Sequence, residues 1–219
     1  QSLAKTPVNR LSIGVQSFDD EILRRIGRRH KSSDVFRVIE EARCAGFNNI
    51  SLDFIYGLPN QTEQSFIADL EHAASLGVEH ISLYGLKIEE GCFFHSQMPK
   101  NIADEEMQAQ MYLSAIDTLK ERGFEHYEIS NFARGGKFSR HNNNYWKNQE
   151  YYGFGLAAHG YVNGVRYSNP INLDDYLENP LRKDFSRQLD EQEKLEEEIF
   201  LGLRLKSGIN VDFINAKFN

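Results

Sequence analysis

Apolar and polar positions along the chain switch between a strand period and a helix period. Leu11 to Gln16 reads as a short buried strand. Ile50-Ser51-Leu52-Asp53-Phe54-Ile55-Tyr56, His80 to Leu86 and Glu125 to Ser130 read as three more. Between them the spacing i, i+3, i+4, i+7 takes over. Asp19 or Asp20 caps a helix carrying Ile22, Leu23 and Ile26, and a second helix starts near Ser33-Asp34 with Val35, Val38, Ile39 and Ala42 on one face. Thr62 caps a third helix bearing Phe66, Leu70, Ala73 and Ala74. Ala103 to Arg122 predicts a long helix with Met107, Met111, Ala115 and Leu119 aligned. Gly46, Gly77 and Gly123 stand where three of these helices should stop. Strands separated by helices imply βαβ units and a parallel sheet, its strands in sequence order as an arc of a barrel or an open sheet. The expected class is α/β, with functional residues at the carboxyl ends of the strands and in the loops just after them.

The rhythm breaks after residue 131. Residues 132–170 are rich in Gly, Asn and Tyr, and Asn163-Gly164 between Tyr161-Val162 and Val165-Arg166-Tyr167 predicts a β-hairpin. His141-Asn142-Asn143-Asn144-Tyr145-Trp146 reads as a loop. Asp190 to Lys206 predicts a charged helix with Leu195, Ile199, Phe200 and Leu203, within a helical module spanning 186–219. The organisation expected is therefore a barrel portion over 1–131, an extension over 132–185 and the start of a C-terminal helical, winged-helix-like module. A first residue other than Met, and an apolar pattern (Val211, Phe213, Ile214, Phe218) that has only begun near the last residue, are expected of cuts through a longer protein.

Composition narrows the classes. The 219 residues are 40% hydrophobic and 26% charged, enough to bury a core without metal or disulfides. A net charge of −7 argues against general nucleic-acid binding and against charge-driven docking on an anionic membrane. No apolar run approaches the roughly 18–20 residues of a membrane span. Two cysteines, Cys44 and Cys92, belong to no closely spaced set, so a metal site or cluster built from them is not expected, and a reducing, cytoplasmic compartment fits. Exposed strand edges of a partial sheet predict some tendency to form homodimers.

Several residues carry candidate chemistry. Asp53 sits between Leu52 and Phe54; it suits either a ribose hydroxyl contact or a structural carboxylate bonded to neighbours. Gln16 ends the first strand, where its amide suits a ligand edge or braces the loop. Arg24, Arg25, Arg28, Arg29, His30 and Lys31 form a basic cluster, from which one guanidinium could grip a ligand carboxylate. His141 could ligate haem iron, with Tyr145 and Trp146 stacking on a porphyrin; the bland alternative is a braced loop around a buried Trp. His159, in a Gly-rich stretch, reads as a structural histidine.

Taken together these blocks resemble a known family. Ser12-Ile13-Gly14-Val15-Gln16-Ser17-Phe18, Ile50 to Pro59 and Gln61-Thr62 resemble the oxygen-independent coproporphyrinogen III oxidase group of radical S-adenosylmethionine (SAM) proteins. Tyr127-Glu128-Ile129-Ser130-Asn131-Phe132-Ala133 and His141 to Trp146 resemble the haem-chaperone branch of that group. The resemblance implies the later strands of a partial (β/α)6 TIM-like barrel. It implies SAM contacts at Gln16, Arg28 and Asp53, and haem contacts at His141, Asn142 and Tyr145, which match the branch's His-Asn-x-x-Tyr motif. It further implies haem and haem-acceptor proteins as partners and a 4Fe–4S cluster as cofactor. The family's Cys-x3-Cys-x2-Cys cluster motif is absent from this sequence, so the ligands are expected in a missing front half. The alternative activity is oxidative decarboxylation of coproporphyrinogen III, and an inert scaffold is the alternative for the chain alone.

Overall fold

A computed structural model describes residues 2–91 and 93–218. Its elements are β1 (Leu11–Gln16), α1 (Asp20–Arg25), α2 (Ser32–Cys44), β2 (Ile50–Tyr56), α3 (Glu63–Ser75), β3 (His80–Gly85), α4 (Phe93–Ser96), α5 (Glu105–Glu121), β4 (Glu125–Glu128) and β5 (Asn131–Ala133). They are followed by α6 (Arg140–Trp146), β6 (His159–Val162), β7 (Val165–Ser168), α7 (Leu173–Glu178), β8 (Phe185–Gln188), α8 (Glu191–Gly202) and α9 (Val211–Phe218). A short 3-10 turn, Leu3–Lys5, precedes β1. The chain divides into two compact units, the first ending at Phe138 and the second starting at Ser139.

In unit 1 the helices start and stop where local chemistry dictates. Asp19 caps α1 by accepting the Glu21 and Ile22 amides, Thr62 caps α3 through the Ser65 amide, and Asp104 caps α5 through the Met107 amide. β1, β2 and β3 run parallel. One face of this sheet is apolar. Ile50, Leu52, Phe54, Ile81 and Leu83 are buried against Phe66 and Leu70 of α3, Met111, Ala115 and Leu119 of α5, and Val35 and Ile39 of α2. Val38 and Met107, expected in this core, are instead 39% and 45% exposed. They stand one residue before Ile39 and four before Met111, at the rim of their helical stripes.

The expected all-parallel, sequential order is corrected beyond β3. The sheet order is β1-β2-β3-β5-β4, and β5 enters antiparallel between β3 and β4. The chain turns back at Ile129-Ser130, where the Ser130 amide donates to the Glu128 carboxylate (3.2 Å) and the Ser130 carbonyl accepts from the Leu83 amide (2.8 Å). That turn leaves only Asn131–Ala133 to make the new strand.

Unit 2 holds a three-stranded antiparallel sheet, β6-β7-β8. Asn163 (φ 52°) and Gly164 (φ 73°) form the expected tight turn between β6 and β7. Asp190 caps α8 with a capping box to Glu193. The segment from His141 to Trp146, expected as a loop, is helix α6. Ser139 caps it through the Asn142 amide (3.3 Å), supplying the start signal that three weak helix formers in a row obscure. Cys44 ends α2 and is exposed, and Cys92 lies outside the described residues.

Candidate functional site

The second face of the unit 1 sheet is polar. Alternation along β1 puts Ser12 and Gly14 on it, β2 adds Ser51 and Asp53, and β3 adds His80 and Ser82. Both Asp53 oxygens accept the Ser12 hydroxyl (3.0 and 2.8 Å), and Asp53 also accepts from Ser51 (3.3 Å). Ser51 Oγ lies 2.8 Å from His80 Nδ1, and His80 Nε2 lies 2.8 Å from the Tyr127 hydroxyl. One proton arrangement satisfies the whole series: Tyr127 donates to His80, His80 to Ser51, and Ser51 to Asp53. Every dipole then points at the carboxylate. His80 is fully buried; burial first, and the nearby Arg10 charge second, push its pKa down to about 3, so it is neutral at pH 7. Asn131 and Glu128 extend the polar face across β5 and β4, the Asn131 amide donating to the Glu128 carboxylate.

Gln16 closes the carboxyl end of β1 in a left-handed conformation (φ 69°), beside a register shift between Gly14 and Gln16. Its side chain folds back over Gly14: a Cβ built on Gly14 would lie 2.6 Å from Gln16 Nε2. Gly14 is the register partner of Asp53. The Gln16 amide and the Asp53 carboxylate are thus brought to adjoining positions on two neighbouring strands. Arg28 is exposed in the loop after α1. His30 ties that loop to β1 through a contact from its ring to the Val15 carbonyl (3.3 Å). Arg24 and Arg25 are spent on Glu21. Sequence reasoning passed over His80 and Tyr127, although a polar residue at every second position of two neighbouring strands (51 and 53, 80 and 82) was a readable signal of a polar sheet face.

In unit 2 a cavity of about 750 Å³ is lined by His141, Tyr145 and Trp146 of α6, by Tyr151, Tyr152 and Phe154, by Ala158 and His159, and by Arg166, Glu197 and Phe200. The Tyr145 hydroxyl lies 2.5 Å from His141 Nε2, one helical turn away, and the two rings meet edge to face at 4.7 Å. Burial raises the Tyr145 pKa. Tyr151 packs edge-on against Tyr145 (4.5 Å). Arg166 is committed elsewhere: it pairs with Glu197 (2.7 Å), bonds Asn148 (3.0 Å) and lies over the Tyr161 ring (4.0 Å). Phe154, Phe200 and Tyr152 are 85%, 69% and 67% exposed, so the cleft presents aromatic surface that the chain itself leaves uncovered. Asn142 does not line this cavity; it sits on the next face of α6, where its backbone amide takes part in the cap.

Residues 1–73 match the Radical SAM superfamily. β1, α1, α2, β2 and most of α3 lie within that stretch. The chain is similar to proteins of the group of the haem chaperone HemW and the coproporphyrinogen oxidase HemN. It is 42% identical to the heme chaperone HemW of Bacillus subtilis over 215 residues, covering 95% of this chain and 57% of that protein. It is 40% identical to the heme chaperone HemW of Lactococcus lactis over 221 residues, covering 99% of this chain and 58% of that protein. The structure of coproporphyrinogen III oxidase (HemN) from Escherichia coli superposes with a TM-score of 0.82 at 20% identity, covering 97% of this chain and 53% of that one. The chain thus spans somewhat more than half the length of these relatives.

The superfamily match implies SAM and a 4Fe–4S cluster. Among the described residues no group of three or more His, Cys, Asp and Glu side chains could hold a metal ion, so these residues do not fit the cluster. They do fit SAM in part: Asp53 retains lone pairs after accepting two serine hydroxyls, and the Gln16 amide folds over Gly14, the register partner of Asp53. Among the described residues no helix is long and apolar enough to cross a membrane.

Proposed function

We propose that the protein is a haem chaperone that takes haem into the aromatic cleft of unit 2 and passes it to acceptor proteins, with SAM contacted at the polar face of unit 1. The observation that carries this reading is the cleft itself. Its volume falls within the roughly 300–1,000 Å³ of cofactor sites, and aromatic rings and two imidazoles form much of its wall. The similarity to relatives named heme chaperone supports the same reading.

His141 and Tyr145 divide the work. With the proton on His141 Nε2, the Tyr145 oxygen accepts it and Nδ1 keeps its lone pair for iron. The spacing of four residues between them on α6 is what lets the tyrosine fix the tautomer. Asn142, one residue on, braces the helix start rather than the ligand. At the other site Asp53 accepts ribose hydroxyls, Gln16 reads a polar edge, and Arg28, exposed on a loop tied to β1, takes the methionyl carboxylate. SAM supplies an adenosyl and methionyl group for binding there. The test is a titration of the protein with ferric haem, followed by Soret absorbance, beside His141→Ala. Saturable one-to-one binding that weakens in the variant is expected; binding indifferent to His141, or turnover of coproporphyrinogen to protoporphyrinogen, contradicts the proposal.

A further inference from the structure

The cleft holds a second imidazole that the His-Asn-x-x-Tyr motif does not include. His159 opens β6 and lines the same cavity as His141. Its ring is exposed, and its nitrogens have no hydrogen-bond partner among the described residues, whereas His141 Nε2 is held by Tyr145. Alternation along β6 puts His159 on the face of Tyr161, and register puts Tyr161 opposite Arg166, which lines the cavity too.

The backbone that presents His159 is fixed from several sides. Asn169, 2% exposed, donates to the carbonyls of Gly153 (3.1 Å) and Gly155 (2.8 Å), and accepts from Lys183 (2.6 Å). The Asn169 amide donates to the Ala158 carbonyl (2.9 Å). A Cβ on Gly153 would lie 2.3 Å from the His159 carbonyl oxygen, and one on Gly160 would lie 2.1 Å from the Tyr167 ring. Both glycines therefore permit contacts too close for any other residue. Such packing around an exposed, unbonded imidazole is a construction for presenting a side chain, because buried bonds here serve the main chain and none serve the ring.

We propose that His159 is a second axial ligand to the haem iron, completing a pair with His141. This rests on the cleft being the haem site. Neutral imidazole is a common protein ligand for iron, and α6 and β6 supply the two rings from separate elements of one unit. The motif residue and the unassigned one then have distinct settings: His141 oriented by Tyr145, His159 by the clamped backbone.

The test uses the whole chain with ferric haem as the probe, read by absorbance and by electron paramagnetic resonance. Low-spin, six-coordinate iron is expected for the wild type. His159→Ala should give high-spin iron and at least roughly tenfold weaker binding, with added imidazole restoring the low-spin spectrum. His159→Met should keep six-coordination with a shifted spectrum, and circular dichroism should show both variants folded. A high-spin wild type, or a His159→Ala spectrum identical to wild type while His141→Ala changes it, overturns the second ligand and leaves the cleft reading standing. Binding that ignores both histidines overturns both.

Discussion

On the inner face of unit 1 the polar side chains are turned inward and bonded to one another. Ser51, His80, Ser82 and Tyr127 are buried, and the line from Tyr127 through His80 and Ser51 ends on Asp53. In the cleft of unit 2 the reverse holds: Phe154, Tyr152 and Phe200 stand largely exposed, and His159 has no partner among the described residues. The first region carries its order within itself and offers a ligand one preset carboxylate and amide. The second leaves apolar area and ligating nitrogen uncovered, which a flat, apolar, metal-containing molecule would cover. The difference separates residues that cost stability when changed from residues that cost binding when changed.

Substitutions should separate along that line. Phe54→Ala, in the fully buried core behind the polar face, should lose about 3–5 kcal/mol in denaturant unfolding. Phe200→Ala, exposed on the cleft wall, should change stability by no more than about 0.5 kcal/mol while weakening haem binding. Equal stability losses would erase the distinction. Tyr127→Phe removes the partner of buried His80 Nε2 and should cost about 1–3 kcal/mol, with haem affinity unchanged.

Acid should act on unit 1 by the same route. The His80 pKa is depressed in the fold to about 3, below its ordinary value of 6.5. A histidine held neutral contributes stability that is fully present above the unfolded value and is lost as pH falls toward the folded one. Unfolding followed between pH 7 and 3 should show this loss starting below about pH 6.5, and His80→Gln should flatten it. The smallest effect is expected of Gly14→Ala. The new methyl group displaces the Gln16 amide from its place over Gly14, the register partner of Asp53. SAM binding by calorimetry should weaken by about 1 kcal/mol, the worth of one hydrogen bond, at nearly unchanged stability.

Much of unit 1 was legible because its periods are long and capped. Phe66, Leu70, Ala73 and Ala74 announced α3, and Asp104 with Met111, Ala115 and Leu119 announced α5. β5 was not legible, because three residues after a two-residue turn carry no period, and its direction depends on the bond from the Leu83 amide to the Ser130 carbonyl. α6 was hidden by consecutive asparagines whose weak helical preference the Ser139 cap overcomes. Gln16 and Asp53 could be picked from the sequence, but not the fold-back of Gln16 over Gly14, the register partner of Asp53. His159 read as structural because its exposure and its clamped backbone depend on Asn169, Gly153 and Tyr167, none of which marks a ligand in the sequence.

The most direct test of the cleft as the haem site is a nuclear magnetic resonance titration of the whole chain with gallium protoporphyrin IX, a diamagnetic haem analogue. Ring-current shifts at His141, Tyr152, Phe154, His159 and Phe200, with Ser12, Asp53 and Ser82 unmoved, are the expected result. Shifts centred on Ser12, Asp53 and Ser82 instead would place the porphyrin on the polar face of unit 1 and contradict it.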